Sequence, residues 1–556
     1  MIKMPQSNAR FTIVSIFFIA LFTALGVRII YLHTAEKTLI TAGRRAFGRV
    51  KKLRGSIVTA DGDIIASSIR GKRVFLRRGE QLTAQEKTLI SNLEPNLRWP
   101  EKSDSRQLLI RFLSPEDAKM LMRQPVAKKL EFIPAQERIY FDEAVYAPLC
   151  GFTNYENAGA AGVEFGYNKE LEGGQGEIIE IDATGRLLLS NDPNMLHAGG
   201  DSVKLTINGR LQKLLYQEID SAVGRYNARG GYGIVMEPHT GKILASVMAG
   251  PDAANLLKNP LIADAMEPGS TFKIVTIAAA LENGVVTPED KFFCENGTFE
   301  FAGIKINDHD PYGWLSASDI IKFSSNIGAS KIGSLTGKHA LYKTARDFGF
   351  GSPTEVKLPG EARGLLKRID RWDNHSLLYI SFGQEIAATP LQMAQSFAVI
   401  ANGGVLVKPR ILDSVIAANG KKAHKSKTEK IRRAISKKTA DTVKEMLFQV
   451  MEGGTGERAR VPGWEICGKT GTAQKFDTKA GKYSEKTYFS SLGGFFPKND
   501  PRFVIFIALD EPQEYYYGGI VGATAFQRTV KAIIDIYGVP PGGSAAAPQR
   551  AKKNET

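Results

Sequence analysis

Pro268-Gly269-Ser270-Thr271-Phe272-Lys273, running on into the apolar residues 274–281 and stopped by Asn283-Gly284, is the stretch on which the reading of this chain turns. Pro-Gly predicts a turn, the apolar run a buried helix, and Asn-Gly its end. Ser270 then stands at a helix amino end, where backbone N–H groups point outward, and Lys273 lies one turn on along the same face. A serine with an amine in reach is a nucleophile with its base. A lysine is charged at neutral pH, so it accepts a proton only where burial or a neighbouring cation lowers its pKa. Ser-x-x-Lys is short enough to arise by chance in 556 residues, so its meaning depends on its company.

Two further clusters supply that company. Ser324-Ser325-Asn326 lies between Ile320-Ile321 and Ile327-Gly328-Ala329, in a loop joining helical segments. A hydroxyl there can relay a proton, and an amide can hold a substrate peptide group. Lys469-Thr470-Gly471-Thr472 follows Trp464-Glu465-Ile466-Cys467, which reads as a strand. A glycine on an open strand edge lets a substrate backbone approach, Thr470 offers a hydroxyl to a carboxylate, and Lys469 is the second cation. Taken singly, a Ser-Asn pair is an ordinary helix cap. All three clusters in this order are far harder to obtain by accident.

Two other patterns are set aside. Residues 463–470 spell the phosphate-loop form Gly-x4-Gly-Lys-Thr, but such a loop follows a buried strand and opens a helix, whereas here polar turns precede it and a charged, Gly-containing stretch follows. Asn307-Asp308-His309-Asp310-Pro311 resembles a metal cluster, yet its tight spacing before a proline reads as a turn.

Outward from these motifs, residues 203–207 alternate like a strand, and Leu211, Leu215 and Ile219 share a helical spacing. Residues 232–236 and 241–245 form a hairpin signal around Pro238-His239-Thr240. Upstream, to about Gly200, short Gly-punctuated segments, with 177–181 as a half-buried strand, read as a separate α+β region. Residues 11–27 carry no charge, and Arg28-Ile29-Ile30-Tyr31-Leu32 extends them to bilayer length, which favours a retained membrane-spanning helix over a cleaved signal. Basic residues are denser after this span than before it, against the positive-inside rule, which is weak when a long domain follows.

At 43% hydrophobic and 24% charged the composition is globular. The net charge of +15 suits anionic lipid and acidic wall polymers; its Lys and Arg are dispersed, without aromatic-interleaved basic motifs, so no nucleic acid is expected. Cys150, Cys294 and Cys467 are far apart and expected as buried free thiols.

Ser-x-x-Lys, Ser-Asp-Asn and Lys-Thr-Gly together are the signature of penicillin-binding proteins and class A β-lactamases, and this chain resembles that superfamily, departing at Ser325. Glu267-Pro268-Gly269-Ser270, Phe382-Gly383-Gln384, Thr389-Pro390-Leu391-Gln392-Met393, Gly454-Thr455-Gly456, Phe495-Phe496-Pro497 and Asp510-Glu511-Pro512 are similar to the class B transpeptidase domain. Arg54-Gly55-Ser56-Ile57, Asp61-Gly62 and residues 159–164 are similar to the class B pedestal, without its usual Asp-Arg pair. Glu267 and Tyr516-Tyr517-Gly518-Gly519 resemble the septal, FtsI-type form.

The resemblance implies an α+β, membrane-anchored, multidomain chain: a cytoplasmic tail (1–10), a transmembrane anchor (11–32), a pedestal (33–200), a transpeptidase domain with an antiparallel sheet flanked by helices (201–539) and a disordered tail (540–556). It places the anchor in the bacterial inner membrane and the catalytic domain in the periplasm. It implies Ser270 as nucleophile on the penultimate D-Ala of a peptidoglycan stem pentapeptide, Lys273 as base, Ser324 as proton donor to the leaving amine, and Lys469 as electrostatic support. Asn326 and Thr470 would hold the donor peptide, Gly471 admit it, and the N–H groups of Ser270 and Thr472 form the oxyanion hole. β-Lactams would acylate Ser270. No metal or other cofactor is required, and the implied partners are an FtsW-type glycan polymerase and other division proteins.

Overall fold

The computed structural model describes residues 16, 18–28, 46–49, 53–95, 97, 99, 106–172, 178–181, 187–188, 199–251, 253, 258–301, 303–477 and 481–541. The hairpin expected around Pro238-His239-Thr240 forms, with Gly230–Met236 and Ile243–Ala249 paired antiparallel. It opens a five-stranded sheet in the order Ile243–Ala249, Gly230–Met236, Phe503–Asp510, Lys482–Phe496, Cys467–Asp477, antiparallel throughout. Every residue of the first three strands is buried, because helices cover both faces of the sheet.

The two-residue period of a strand shows instead in which core each side chain joins. Tyr232, Ile234, Met236, Val504, Phe506 and Ala508 enter one cluster; Val235, Ile505, Ile507 and Leu509 enter the other. On the second face lie Gly209–Arg225, through Leu211, Leu215 and Ile219, and Ala523–Tyr537, through Phe526, Val530 and Ile533. Both present apolar residues at three- and four-residue spacing. On the first face lies Lys273–Glu282, whose residues 273–280 are all buried, so this helix has no solvent side. Beside it Pro390–Ala401 is buried along its full length and is started by a Thr389/Gln392 capping box. The antiparallel sheet flanked by helices is the α+β arrangement expected.

One expected strand is shorter than read. Trp464, Glu465 and Ile466 precede the strand, which begins at Cys467, because Gly463 at φ +91 makes a tight turn that bridges Val461 to Trp464. Lys469-Thr470 therefore lies inside an edge strand followed by a second strand, not at the opening of a helix, which removes the phosphate-loop alternative.

The chain divides into two compact units. The larger comprises 53–69, 138–173 and 199–556. Besides the sheet above, it joins the two segments that resemble a pedestal: Glu164, with no exposure, accepts from Arg54 Nε (2.6 Å) and Arg138 Nε (2.7 Å). Arg54 also donates to the carbonyl of Glu164 (2.8 Å) and to Asn168 Oδ1 (2.7 Å). The smaller unit comprises 1–52, 70–137 and 174–198. In it Val74, Leu76, Leu109 and Ile110 form a core with Ile90 of helix Ala84–Leu93 and Ala118 and Leu121 of helix Pro115–Met122. The expected strand near 177–181 is present as Ile178–Ile181.

Residues 18–28 are helical; the rest of the expected span 11–32, apart from residue 16, and the tails 1–10 and 542–556 lie outside the described residues. Among the described residues no helix is long and apolar enough to cross a membrane. Cys150, Cys294 and Cys467 are buried and unpaired.

Candidate active site

Gly269–Phe272 forms a 3-10 turn that runs directly into Lys273–Glu282. Side chains three apart eclipse in such a turn, which sets Ser270 and Lys273 on one side. The turn packs against the edge strand so closely that glycine is needed on both sides. Gly269 has φ +54, and a Cβ on it would meet Thr472 O and Ala473 Cβ at 3.1 Å. A Cβ on Gly471 would meet Ser491 Oγ at 2.5 Å, Thr271 Cγ2 at 2.9 Å and Pro268 O at 3.0 Å. Lys469 and Gly471 thus face the serine turn. Thr470 and Thr472 face the other way: the Thr470 and Thr455 hydroxyls share a hydrogen bond (2.7 Å), and Gly518 N–H donates to Thr472 Oγ1 (3.2 Å).

Lys273 and Lys469 have no exposure at all. Lys273 Nζ donates to Ser324 O, Asn326 Oδ1 (2.8 Å) and Ser324 Oγ (3.3 Å). Lys469 Nζ donates to the same Ser324 Oγ (2.8 Å) and to Thr470 O (3.1 Å). Burial brings Lys273 down from 10.5 to about 7, against the pull of the nearby Asp308 carboxylate, which favours the charged form. Burial first, then the charge of Lys273, holds Lys469 well below its ordinary value. Two ammonium groups sharing one hydroxyl in a dry site do not both keep their protons at neutrality. Of the two causes open from sequence, burial and a neighbouring cation, removal from water is the main one for Lys273.

The Ser-Ser-Asn cluster joins two helices, as its neighbours suggested. Ala317–Phe323 ends at Ser324, which adopts the left-handed φ of +66, and Asn326–Thr336 begins two residues later with Ser325 as its N-cap. Asn326 Nδ2 donates to Asn307 O (3.0 Å), which turns its Oδ1 toward Lys273. Ser270, Ser324, Asn326, Thr470 and Thr472 line one cleft of about 650 Å³. The structure therefore brings together all the residues singled out from sequence, with the buried lysines reaching this cleft through Ser324.

Sequence reasoning gave no site role to several groups on the cleft. Asp308, His309 and Asp310, set aside as a turn, line it, and so do Thr455, Glu457, Arg458 and Tyr517. His309 packs on the Tyr517 ring (4.7 Å between centroids), and Tyr516 stacks on Tyr488 (4.1 Å). Behind the serine turn, Glu267 accepts from Tyr483 Oη (3.0 Å) and Glu385 N–H (3.0 Å), and burial raises its carboxyl to about 7. Residues 267 and 454–456 were legible only as parts of a family pattern.

A serine on a helix-opening turn, a buried amine one turn on that bonds a hydroxyl lining the same cleft, and a strand edge for an extended peptide define an active-serine acyl-transfer site. Residues 231–531 match the penicillin binding protein transpeptidase domain, over half of the chain. The chain is 32% identical to penicillin-binding protein PbpB of Mycolicibacterium smegmatis over 425 residues, 72% of this chain and 65% of PbpB. It is 27% identical over 567 residues to the probable peptidoglycan D,D-transpeptidase PenA of Neisseria meningitidis serogroup A, covering 97% of this chain and 95% of PenA. Its fold is similar to that of penicillin-binding protein 3 of Mycobacterium tuberculosis complexed with aztreonam, with a TM-score of 0.68 and 25% identity over 89% of this chain and 98% of that one. The chain belongs to the penicillin-binding protein transpeptidase family.

Proposed function

We propose that Ser270 carries the acyl group in a peptidoglycan D,D-transpeptidase reaction, with Lys273, Ser324, Asn326 and Lys469 as its machinery. The chain is a serine-type D-Ala-D-Ala transpeptidase and a target of β-lactams: PenA is named for this activity, and the M. tuberculosis relative is seen with aztreonam. The observation that carries the assignment of roles is the convergence of Lys273 and Lys469 on Ser324 Oγ, which lines the serine cleft.

A neutral Lys273 takes the proton of Ser270 as its oxygen attacks the penultimate D-Ala carbonyl of a stem pentapeptide. The N–H groups of Ser270 and Thr472 receive the oxyanion, each donor contributing about 3 kcal/mol. Ser324, bonded to both lysines, passes a proton to the departing D-Ala amine. Thr470 and Thr455 present paired hydroxyls to the substrate carboxylate, and the second Nδ2 hydrogen of Asn326 holds its peptide group. An amine of a neighbouring stem then attacks the acyl-enzyme, freeing Ser270 and completing the cross-link. A β-lactam enters the same first step and stalls because its leaving group stays tethered.

The finer assignment is a class B, septal enzyme anchored in the inner membrane by residues 11–32, with its catalytic domain outside and an FtsW-type polymerase beside it. The uncharged run 11–27 and the pattern of Glu267 with Tyr516-Tyr517-Gly518-Gly519 support it. Incubation with a stem-pentapeptide donor and an acceptor amine tests the chemistry: wild type should release D-Ala and form the cross-linked product, and Ser270→Ala should do neither. Depletion in the host tests the role, since filaments support the septal assignment and rounded cells refute it.

A further inference from the structure

The turn Asn307-Asp308 grips the start of the helix that carries Asn326 through four hydrogen bonds. Asp308 Oδ1 accepts from the backbone N–H groups of Asn326 and Ile327 (3.0 Å for the latter), Asp308 Oδ2 accepts from Ser325 Oγ (2.5 Å), and Asn307 O accepts from Asn326 Nδ2 (3.0 Å). First-turn N–H groups have no partner within their own helix, and a carboxylate is the acceptor that both their dipoles and their hydrogens favour. Ser325 is the N-cap and accepts from Gly328 N–H (2.9 Å). In the Ser-Asp-Asn form of the superfamily motif this same position is an Asp, itself a preferred N-cap.

We propose that Asp308 is a positioning residue of the acylation machinery, supplying from a neighbouring turn the carboxylate that the Ser-Asp-Asn form carries inside the motif. This rests on the roles of Ser270 and Lys273 given above. Asp308 acts at three points. It ties down the residues that follow Ser324, whose left-handed backbone is unfavourable for a side-chain-bearing residue and is held on the other side by the end of helix Ala317–Phe323. Together with Asn307 O it fixes the Asn326 amide so that Oδ1 meets Lys273 Nζ. It also faces Lys273 electrostatically. The charged and titratable groups around Lys273 are Asp308 and Cys294, from the turns that follow strands Ile304–Asn307 and Lys291–Phe293, and Lys469 from the edge strand. The Cys294 thiol is pushed up by burial and stays neutral, so the negative charge is that of Asp308. On its own turn Asp308 is followed by His309 and Asp310, and Tyr312 lies within its field.

The test measures acylation of the full-length protein by a fluorescent penicillin from pH 5 to 9, with thermal unfolding of each variant. Asp308→Ala frees the helix start and should slow acylation by roughly 100-fold, the usual cost of about 1 Å of misplacement. Asp308→Asn keeps an acceptor for the two N–H groups but no charge. It should lose less than about tenfold, while the low-pH limb of its profile moves to lower pH because Lys273 loses the charge that favours its protonated form. The double variant Asp308→Ala/Ser325→Asp returns a carboxylate to the N-cap and should recover to within about tenfold of wild type. An unmoved limb in Asp308→Asn, a double variant no faster than a folded Asp308→Ala, or a folded Asp308→Ala at the wild-type rate overturns the proposal. If Asp308→Ala does not fold, the limb of Asp308→Asn and the rescued variant decide. Wild type without an adduct at Ser270 would refute the underlying reading instead; wild type acylated at Ser270 with indifferent Asp308 variants refutes this inference alone.

Discussion

Acylation should depend on pH through the burial of Lys273. In water a lysine with an ordinary value of 10.5 is unprotonated in only about one molecule in 3,000 at pH 7; at about 7, half of the Lys273 population is a competent base. The difference corresponds to about 5 kcal/mol of disfavoured charge. A lysine whose pKa is depressed gains its proton as pH falls through the depressed value, so the base is lost on the acid side. The acylation rate constant should be level above pH 8 and fall about tenfold per pH unit below 6.5, reaching roughly one hundredth of its plateau at pH 5. Stopped-flow acylation with a fluorescent penicillin measures this, with intrinsic fluorescence confirming that the protein stays folded. Lys273→Arg keeps the charge at every pH and should lose at least about 10³-fold. A wild-type rate that changes less than threefold between pH 8 and pH 5 would refute Lys273 as the base of the first step.

Other outcomes follow from the same geometry. Gly471→Ala places a methyl 2.5 Å from Ser491 Oγ and 3.0 Å from Pro268 O; by prising the edge strand from the serine turn it should slow acylation by about 100-fold, and a wild-type rate would count against the required close approach. Lys469→Met removes a hydrogen-bond donor to Ser324 Oγ and should cost acylation at least about 100-fold, read in the same assay. Glu267, raised from 4.5 to about 7, keeps its proton in the folded state while the unfolded chain ionises, so native stability falls as pH rises from about 4.5 through 7. Glu267→Gln should flatten that fall by about 1–3 kcal/mol in urea titrations at pH 5 and 8, and an unchanged slope would show that the carboxyl titrates normally. Glu164→Ala strands Arg54 and Arg138 in the interior and should cost about 3–5 kcal/mol of stability; a loss below about 1 kcal/mol would mean the triad is not buried as described.

The site was legible where chemistry is compressed into short motifs. Ser270 and Lys273 are three apart on one turn, and Lys469 with Gly471, and Thr470 with Thr472, are two apart along one strand, so local spacing alone put each pair on a common face. The hairpin at Pro238-His239-Thr240 and the long helix through Leu211, Leu215 and Ile219 were equally local. What escaped was contact between distant segments. Asp308 caps a helix that begins at Asn326, Thr455 pairs with Thr470, and Tyr483 reaches Glu267, and no periodicity carries that information. The Asn-Asp-His-Asp-Pro run is the turn that was read, but only the fold supplies the helix end that Asp308 satisfies. The direction of the Lys273 shift was foreseen, and burial and a neighbouring cation were both open as its cause; that burial dominates could not be read from either motif, because burial of two lysines at once is a property of the packed domain.

Ser270 is proposed to carry the acyl group. Intact-mass and peptide mass spectrometry of the protein after brief exposure to penicillin tests it directly. The expected result is one added penicillin mass, located on the peptide containing Ser270 and absent from Ser270→Ala. An adduct mapped to another residue, or one that survives in Ser270→Ala, would contradict it.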